Sequence, residues 1–288
     1  MIKHLRNIVC VVFGLLFIAP NMQSEEANKS IGICLSGGGA IGFTHLGVLQ
    51  ALEENNIKPQ YVSGSSMGAL IGTLYAAGYS PSEIMVLVEQ KQLYKITNFV
   101  SSPKSRKGLS SMKNVQKILL KYVPHNNFEM LNKKLYICVA NLTTGQCEII
   151  SSGKQLSEYA CASAAIPVVF EPQEINGSQY ADGGLLNNLP AEPLRQICDV
   201  VIGVDVLEYP KNKKISDKME SLYLSILVNN AESNLRRKEF CDYYISCNGA
   251  SKYSLIDFKN YKELYQIGYD ITIEYIKQHP EIKDLAGY

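Results

Sequence analysis

Two glycine-rich segments about 25 residues apart carry the residue types that nucleophilic catalysis needs. The first, GGGAIG at residues 37–42, and the second, GSSMG at residues 64–68, each follow an apolar segment and precede a helical pattern. A glycine loop at the start of a helix presents free backbone N–H groups and a positive dipole end, which suit a developing negative charge. A G-x-S-x-G turn between a strand and a helix presents its middle serine as a nucleophile. The pattern predicts a serine hydrolase with Ser66 as the nucleophile.

A third segment, YADGG at residues 180–184, places one acidic residue, Asp182, before Gly183 and Gly184. Taken alone, an acidic residue ahead of two glycines is typical of a turn. A carboxylate beside a serine can also accept its proton, if the site is dry and backbone N–H groups stabilise the resulting charge. Asp182 is therefore both a turn candidate and a candidate general base.

The order of these segments resembles that of the patatin-like phospholipase family. The resemblance runs from about residue 31 to the C-terminus and rests on the glycine loop with its helix (37–54), GSSMG (64–68), ASAAIP (162–167) and DGG (182–184). It implies a Ser–Asp dyad formed by Ser66 and Asp182. It also implies an oxyanion hole at Gly37, Gly38 and Gly39, with further motif glycines at Gly42, Gly64, Gly68, Gly183 and Gly184. The activity that it implies is that of a phospholipase A or lysophospholipase acting on a lipid ester through an acyl-enzyme.

Ile41 departs from the family pattern, because members commonly carry a basic residue at this position. The departure bears on the preference for phospholipids, although it leaves the backbone N–H donors in place. Two further hypotheses stay open. The same dyad could serve a non-lipid carboxylesterase or an acyl transferase, or the chain could be a lipid-binding protein with a vestigial site.

Two other kinds of site fit the sequence less well. The first glycine loop matches the G-x-G-x-x-G pattern of dinucleotide-binding proteins. Ribose binding needs an acidic residue at the end of the second strand, whereas Glu53 and Glu54 fall at the end of a helix. A Ser-His-Asp triad would need a histidine after Asp182, and only His279 follows it, beside Pro280 at the end of the last helix. The chain therefore favours Asp182 itself as the base.

The eight cysteines match neither a disulfide framework nor a metal site. Loss of Cys10 with a signal peptide would leave an odd number, and no Cys/His spacing is typical of zinc. Cys241 and Cys247 would lie about 20 Å apart along a strand, which is too far for a disulfide. We expect buried free thiols, no metal and no cofactor. His45, inside the first predicted helix, is expected to pack rather than to react.

Apolar periodicity predicts strands that alternate with helices. Strands are expected at 31–35, 135–140, 146–150, 200–206 and 242–246, and helices at 43–55, 69–77, 81–89, 157–165 and 261–277. Such alternation predicts an α/β fold with a mainly parallel sheet that helices cover on both faces. The resemblance implies a patatin-like, three-layer α/β/α domain at about 25–288.

Residues 1–24 have the pattern of a signal peptide. Lys3 and Arg6 precede an apolar run at 8–19, and polar residues follow. Twelve helical residues span about 18 Å, less than the roughly 30 Å hydrocarbon core of a bilayer. The sequence therefore predicts an exported protein that is periplasmic, outer-membrane-associated or secreted.

Charge is unevenly distributed along the chain. Residues 91–134 hold ten Lys or Arg and one acidic residue, a local net charge of +9, whereas the rest of the chain beyond residue 24 sums to −10. One interpretation is a solvated helical face. The other is a surface that docks on an anionic membrane, because each basic residue near such a surface contributes about 1 kcal/mol. Nucleic acid is not an expected partner for an exported chain with a pI near 7.5. The sequence says nothing of the oligomeric state.

Overall fold

The structure is a computed structural model that describes residues 29–93, 95, 110–207, 218–250 and 252–287. Eight strands of these residues form one sheet in the order β5-β6-β3-β2-β1-β7-β8, and β4 also pairs with β3. The strands are β1 (Ile31–Leu35), β2 (Tyr61–Ser65), β3 (Lys134–Asn141), β4 (Gln146–Ile150), β5 (Gln173–Ile175), β6 (Ser178–Asp182), β7 (Val200–Asp205) and β8 (Tyr243–Ser246). Five adjacent strands run parallel, namely β3, β2, β1, β7 and β8. The other three strands, β4, β5 and β6, pair antiparallel with their neighbours.

Helices cover both faces of the sheet, as the sequence predicts. They are α1 (Thr44–Glu54), α2 (Met67–Ala76), α3 (Pro81–Gln90), α4 (Lys113–Tyr122), α5 (Leu156–Ser163), α6 (Glu192–Arg195), α7 (Lys218–Arg237) and α8 (Tyr261–Gln278). Ile33 of β1 enters a large core that includes Leu46 of α1 and Leu264 of α8. Its neighbour Cys34 points to the opposite face and packs in a smaller core with Leu194 of α6. Because β1 is buried on both faces, it needs the continuous apolar run that predicted it.

The ends of β2 and β6 meet along one edge of β3. Ser65 of β2 pairs with Cys138, and Asp182 of β6 pairs with the next residue, Val139. On the other edge, β4 pairs with both Cys138 and Val139. Because β2 runs parallel to β3 and β6 runs antiparallel to it, the carboxyl ends of β2 and β6 abut. The residue after Ser65 and the last residue of β6 are therefore brought together.

Local signals in the sequence explain several element boundaries. Ser80 and Glu83 form the predicted capping box, in which each side chain accepts from the backbone N–H of the other residue, and Pro81 opens α3. The predicted hairpin joins β3 to β4. These boundaries form without distant partners, which is why short sequence patterns predict them.

Asp182 is the last residue of β6 and also the N-cap of the 3₁₀ turn Gly183–Leu185, where its side chain accepts from the Gly184 N–H, so it does stand at the start of a turn. The sequence did not predict the 20-residue helix α7. Its buried face carries Asn230 and Asn234, and buried polar residues weaken the apolar periodicity by which helices are recognised.

Some predictions fall outside the described residues. These include the signal peptide at 1–24 and, within the basic segment, Lys104, Arg106 and Lys107. The described part of that segment contains α4, whose Val115 and Leu119 are buried while its lysines are exposed. Within the described residues, no helix has the length and apolar character to cross a membrane. Membrane docking by this segment stays a prediction.

Candidate active site

Ser66 occupies a strained turn between β2 and α2. Its backbone has φ 53° and ψ −124°, a conformation that residues with a side chain rarely adopt. Ser66 is also the N-cap residue of α2 and so lies at the positive end of that helix dipole. This is the geometry of a nucleophile elbow, which lifts the serine Oγ above the ends of the strands.

Gly64 and Gly68 make the turn possible because the chain passes too close to itself for any Cβ. A Cβ on Gly64 would lie 2.6 Å from the carbonyl carbon of Gly68, and a Cβ on Gly68 would lie 2.3 Å from the carbonyl oxygen of Leu35. The spacing of glycines around Ser66 is therefore a packing requirement of this turn.

Ser66 and Asp182 are in direct contact, although 116 residues separate them. Ser66 Oγ donates a hydrogen bond of 2.6 Å to Asp182 Oδ2. The other carboxyl oxygen, Oδ1, accepts from the backbone N–H of Gly184 at 2.8 Å. Ser66 is 5% exposed and Asp182 is 6% exposed. The meeting of β2 and β6 on β3 thus joins the two residues that the sequence singled out for acid–base chemistry.

Burial dominates the electrostatics of Asp182. It raises the pKa of this carboxyl to about 7, while the hydrogen bonds from Ser66 and Gly184 act in the opposite direction by stabilising the charged form. Among the described residues, no cationic side chain bonds to Asp182. A carboxyl with a pKa near neutrality is a far better proton acceptor for a hydroxyl than an ordinary aspartate, whose pKa is about 3.9.

The glycine loop leaves two backbone donors free rather than three. The Gly37 N–H donates to the Asn188 carbonyl at 3.1 Å, so the prediction that Gly37 contributes a free donor is wrong. The N–H groups of Gly38 and Gly39 have no acceptor within the described part of the chain, and both residues line the cavity above Ser66. The loop can therefore offer two N–H groups to an anion.

Two buried side chains lie at or next to the glycine loop, those of His45 and Ile41. His45 Nε2 donates to the Ser36 carbonyl at 2.8 Å, immediately before the loop, and burial lowers the pKa of His45 to about 4. The ring is therefore neutral, and His45 packs as predicted. Ile41 is also buried, in the large core. In this chain the position that is commonly basic in the family belongs to the hydrophobic core.

No histidine completes a triad among the residues that the structure describes. His125 is exposed. His279 stacks on Tyr275 and pairs with Glu281 over 3.2 Å. Ser66 and Asp182 bond to each other without a histidine between them.

Ser163 has a role that the sequence pattern did not assign. Its Oγ accepts a hydrogen bond of 2.9 Å from the Ser66 N–H and donates one of 2.6 Å to the Cys138 carbonyl. This bridge ties the nucleophile turn to β3 and satisfies a backbone donor that the elbow would otherwise leave buried and unpaired. The ASAAIP segment gave the position of Ser163, but only the contact reveals its function.

Two cavities meet at Ser66 and share Gly39, Ile166 and Leu255. The first, of about 420 Å³, is named the amide cavity because two asparagines, Asn188 and Asn230, line it beside Asp182 and Gly38. The second, of about 490 Å³, is named the apolar cavity. Apart from Ser66, its lining side chains are all apolar: Met67, Leu70, Met112, Ala164, Ile166, Val169, Phe170, Leu255, Ile256 and Phe258.

The described residues include no group of three or more His, Cys, Asp or Glu side chains that could hold a metal ion.

Known proteins resemble this chain over much of its length. A family model described as patatin-like phospholipase matches residues 33–195, which include both Ser66 and Asp182. Lysophospholipase NTE1 of Kluyveromyces lactis is 26% identical over 301 residues, covering 91% of this chain and 20% of the relative. An uncharacterized NTE family protein of Mycobacterium bovis is 30% identical over 182 residues, covering 63% of this chain and 50% of that protein. The chain spans a fifth or less of the lysophospholipases that it matches.

Among solved structures, VipD from Legionella pneumophila is similar in fold. It superposes with a TM-score of 0.51 at 18% identity, over 88% of this chain and 67% of VipD. At this level of identity the similarity concerns the fold alone.

Proposed function

Because the chain belongs to the patatin-like phospholipase family, we propose that it is a serine hydrolase of lipid esters, of the phospholipase A or lysophospholipase type. The observation that carries the proposal is the 2.6 Å hydrogen bond from Ser66 Oγ to Asp182 Oδ2, where two cavities meet. A nucleophile, a proton acceptor with a raised pKa and two free backbone donors are the parts that acyl transfer requires.

In the first half of the reaction, Ser66 Oγ attacks the ester carbonyl carbon and its proton passes to Asp182 Oδ2. The N–H groups of Gly38 and Gly39 stabilise the oxyanion, and the loss of one such donor costs about 2.7–4 kcal/mol in other hydrolases. The tetrahedral intermediate then expels the alcohol, whose oxygen takes the proton back from Asp182. The products of this half are an acyl-Ser66 ester and the free alcohol.

In the second half, water replaces the alcohol and the same groups act in reverse. Water attacks the acyl carbon and gives its proton to Asp182, and Ser66 Oγ recovers that proton as the fatty acid leaves. An alcohol in place of water would make the same dyad an acyl transferase. The acceptor, and not the dyad, decides between these two reactions.

The apolar cavity favours a lipid over a short polar ester. Among the described residues its lining offers no hydrogen-bonding side chain except Ser66, and burial of an alkyl chain against such walls contributes about 0.8 kcal/mol per methylene. A long acyl group gains most from this surface. The same gain would remain in a lipid-binding protein, so the test has to detect a reactive Ser66 as well as binding.

A fluorophosphonate probe, which reacts with activated serines, tests the proposal on the full chain. Labelling should be strong in the wild type and absent in Ser66→Ala. Ser65→Ala is the matched control, because Ser65 is an adjacent buried serine whose Oγ has no hydrogen-bond partner. It should label like the wild type. Equal labelling of Ser66→Ala and wild type would overturn the assignment of the nucleophile.

The lipid part of the proposal has its own readout. Fatty acid release from monoacyl and diacyl phospholipids, followed by mass spectrometry, should rise with acyl-chain length. A labelled enzyme that cleaves only short-chain esters would be a carboxylesterase, and one that transfers the acyl group to an added alcohol would be a transferase.

A further inference from the structure

Asn230 is a buried amide without a complete set of partners, and it faces the proposed reaction centre. It lies on α7, is 3% exposed and lines the amide cavity together with Ser66 and Asp182. Its Oδ1 has no hydrogen-bond partner among the described residues. A buried polar atom left unpaired costs about 1–3 kcal/mol, so an unpaired amide at a cavity wall indicates a ligand group that completes it.

A second asparagine on α7 differs in one respect. Asn234 lies one turn later on the same helix face and its Oδ1 likewise has no partner among the described residues, but its Nδ2 donates to Asp205 at 2.9 Å. Leu227, three residues before Asn230, lines the amide cavity as well. One face of α7 thus places Asn230 over the cavity and Asn234 over the sheet.

Ser66 lines both cavities, so an ester bound at Oγ can place one half in each. The apolar cavity suits the acyl chain. It also shares Met67 and Leu70 with a further apolar space lined by Ile84 and Val115, which extends the surface available to a long chain. The alcohol half is left with the amide cavity.

The chemistry of the amide cavity indicates which alcohol it accepts. Among its described lining residues none is Lys, Arg or His, and Asp182 is the one acidic side chain. Among these described residues a phosphate therefore meets no cationic side chain beside Ser66. A hydroxyl, which both donates and accepts, matches the amide of Asn230.

From this arrangement we propose that Asn230 determines specificity by hydrogen-bonding a free hydroxyl on the leaving alcohol next to the scissile ester. This rests on the proposed function and narrows its substrate class to monoacyl glycerol lipids, such as lysophospholipids, over diacyl lipids. In a monoacyl lipid the carbon beside the ester carries a free hydroxyl. In a diacyl lipid that position carries a second ester, which cannot donate to Oδ1.

The test compares two substrates on three proteins. The substrates are 1-acyl-2-hydroxy-glycerophosphocholine and its 2-deoxy analogue, which has the same acyl chain and head group. The proteins are the wild type, Asn230→Leu and Asn229→Leu. Asn229 is an exposed asparagine one residue earlier, whose Nδ2 donates to the Leu185 carbonyl at 3.3 Å, and it serves as the matched control for replacing an α7 asparagine by leucine. Leucine keeps the size of the asparagine side chain and removes its hydrogen bonds.

The wild type and Asn229→Leu should prefer the hydroxyl substrate by at least about 10-fold in kcat/KM, since loss of one hydrogen bond to a built site lowers the rate by this order or more. Asn230→Leu should lose the preference to within about 2-fold. A circular dichroism spectrum and a cooperative thermal unfolding transition like those of the wild type show that it is folded. An equal preference in wild type and Asn230→Leu, or no preference in the wild type, would overturn the inference.

Failure of the proposed function looks different. In that case the wild type would neither react with the fluorophosphonate nor cleave a soluble short-chain ester. If both reactions occur while the hydroxyl preference is absent, the hydrolase proposal stands and the role of Asn230 is refuted.

A separate observation concerns the β3–β4 hairpin. Cys138 and Cys147 lie diagonally on the same face of this pair, with their Sγ atoms 3.3 Å apart. Cys138 is buried, whereas Cys147 is exposed. The contact lowers the pKa of the Cys147 thiol and raises that of Cys138, so the accessible sulfur is also the better nucleophile.

We infer that this pair is a modification site, at which a small disulfide such as oxidised glutathione converts the two thiols into an intramolecular disulfide. Cys147 thiolate attacks one glutathione sulfur, forms a mixed disulfide and releases one glutathione thiolate. Cys138 then loses its proton and attacks the Cys147 sulfur, which expels the second glutathione. Two protein thiols are oxidised and one glutathione disulfide is reduced to two thiols.

Mass spectrometry tests this on the full chain. Trypsin cleavage after Lys134 and Lys154 places both cysteines, and no others, in one peptide. After treatment of the native protein with oxidised glutathione, this peptide should lose two hydrogen atoms. In Cys138→Ser it should instead retain a mixed disulfide at Cys147. A wild-type peptide that stays reduced or keeps glutathione attached would refute the inference.

Discussion

Two buried aspartates lie at strand ends, Asp182 on β6 and Asp205 on β7, and they differ in their hydrogen-bond partners. They are 6% and 5% exposed, and burial raises the pKa of both. Asp205 accepts hydrogen bonds from Tyr244 Oη at 2.6 Å, from Asn234 Nδ2 at 2.9 Å and from the Leu207 N–H at 3.1 Å. These partners tie α7 and β8 to β7, so Asp205 connects three elements.

Asp182 has fewer hydrogen-bond partners than Asp205, and it borders a cavity. It accepts one hydrogen bond from Ser66 Oγ and one from the Gly184 N–H, and it lines the amide cavity. The two sites have similar burial, but only Asp182 is bonded to a hydroxyl that lies at a cavity and can attack a substrate. Because the number and kind of donors differ, we expect equal burial to serve stability at Asp205 and, under the proposed function, reactivity at Asp182.

The largest expected effect is on catalysis. Ser66→Ala should lower kcat by about 10⁴–10⁶-fold and Asp182→Asn by about 10³–10⁴-fold, because the variants remove the nucleophile and the proton acceptor. Ester hydrolysis assays measure both. Asp205→Asn and His279→Ala should stay within about 10-fold of the wild type. The double variant at 66 and 182 should be little worse than Ser66→Ala alone, since the two residues act as a unit.

A large loss of activity in His279→Ala with the fold intact would contradict the dyad. An Asp205→Asn variant that is stable but as inactive as Asp182→Asn would also contradict the comparison, because both aspartates would then take part in the reaction.

Stability should respond in the reverse order. Asp205→Ala leaves the buried Tyr244 hydroxyl and Asn234 amide without their acceptor, and we expect it to lower the free energy of unfolding by about 2–4 kcal/mol. Asp182→Asn removes a buried carboxyl and should leave the stability equal to or above that of the wild type. Urea denaturation followed by circular dichroism compares the two. A larger loss in Asp182→Asn than in Asp205→Ala would reverse the assignment of roles.

The pKa of Asp182 links activity and stability through pH. Because its folded-state pKa of about 7 exceeds the unfolded value of about 3.9, folding favours the neutral acid. Its contribution to stability is therefore fully present below about pH 4 and is lost as the pH rises through 7, by at most about 1.4 kcal/mol per pH unit. Catalysis needs the carboxylate, so kcat/KM should rise over the same window with an apparent pKa near 7.

Asp182→Asn should remove its share of this slope from the unfolding free energy, measured at several pH values, while the share of Asp205 remains. A flat profile of kcat/KM between pH 5 and pH 8 in the wild type would show that Asp182 does not act as the base near neutrality.

The smallest effect is expected at one partner of Asp205. Tyr244→Phe removes the hydroxyl that donates to Asp205 at 2.6 Å and should cost about 1 kcal/mol of stability, with activity unchanged within 2-fold. Thermal unfolding and the same hydrolysis assay provide the readouts. A clear loss of activity without a loss of stability would indicate that Asp205 takes part in the reaction. The two aspartates would then differ less in their roles.

Much of the fold could be read from local patterns. The apolar runs predicted β1 and β7 because both strands are buried on two faces, and the capping box predicted the start of α3. The helix α7 escaped prediction because its buried face carries asparagines. These asparagines are buried polar groups that only the surrounding cavity and Asp205 explain.

The sequence by itself determined which residues could react. Gly64 is required by the close passage of one short turn, and this requirement is local to a few residues, whereas Gly68 is required by the close approach of the Leu35 carbonyl of β1. The pairing of Ser66 with Asp182 was implied by family resemblance, whereas its physical cause is tertiary. The two residues touch because β2 and β6 end at neighbouring positions of β3.

Tertiary structure alone decided three further points, each of which depends on contacts between distant segments. The Asn188 carbonyl accepts a hydrogen bond from the Gly37 N–H, which leaves two free donors in the loop instead of three. Ser163 holds the backbone of Ser66. Burial among residues from many elements raises the pKa of Asp182, and the sum of such distant contacts cannot be read from any short stretch of sequence.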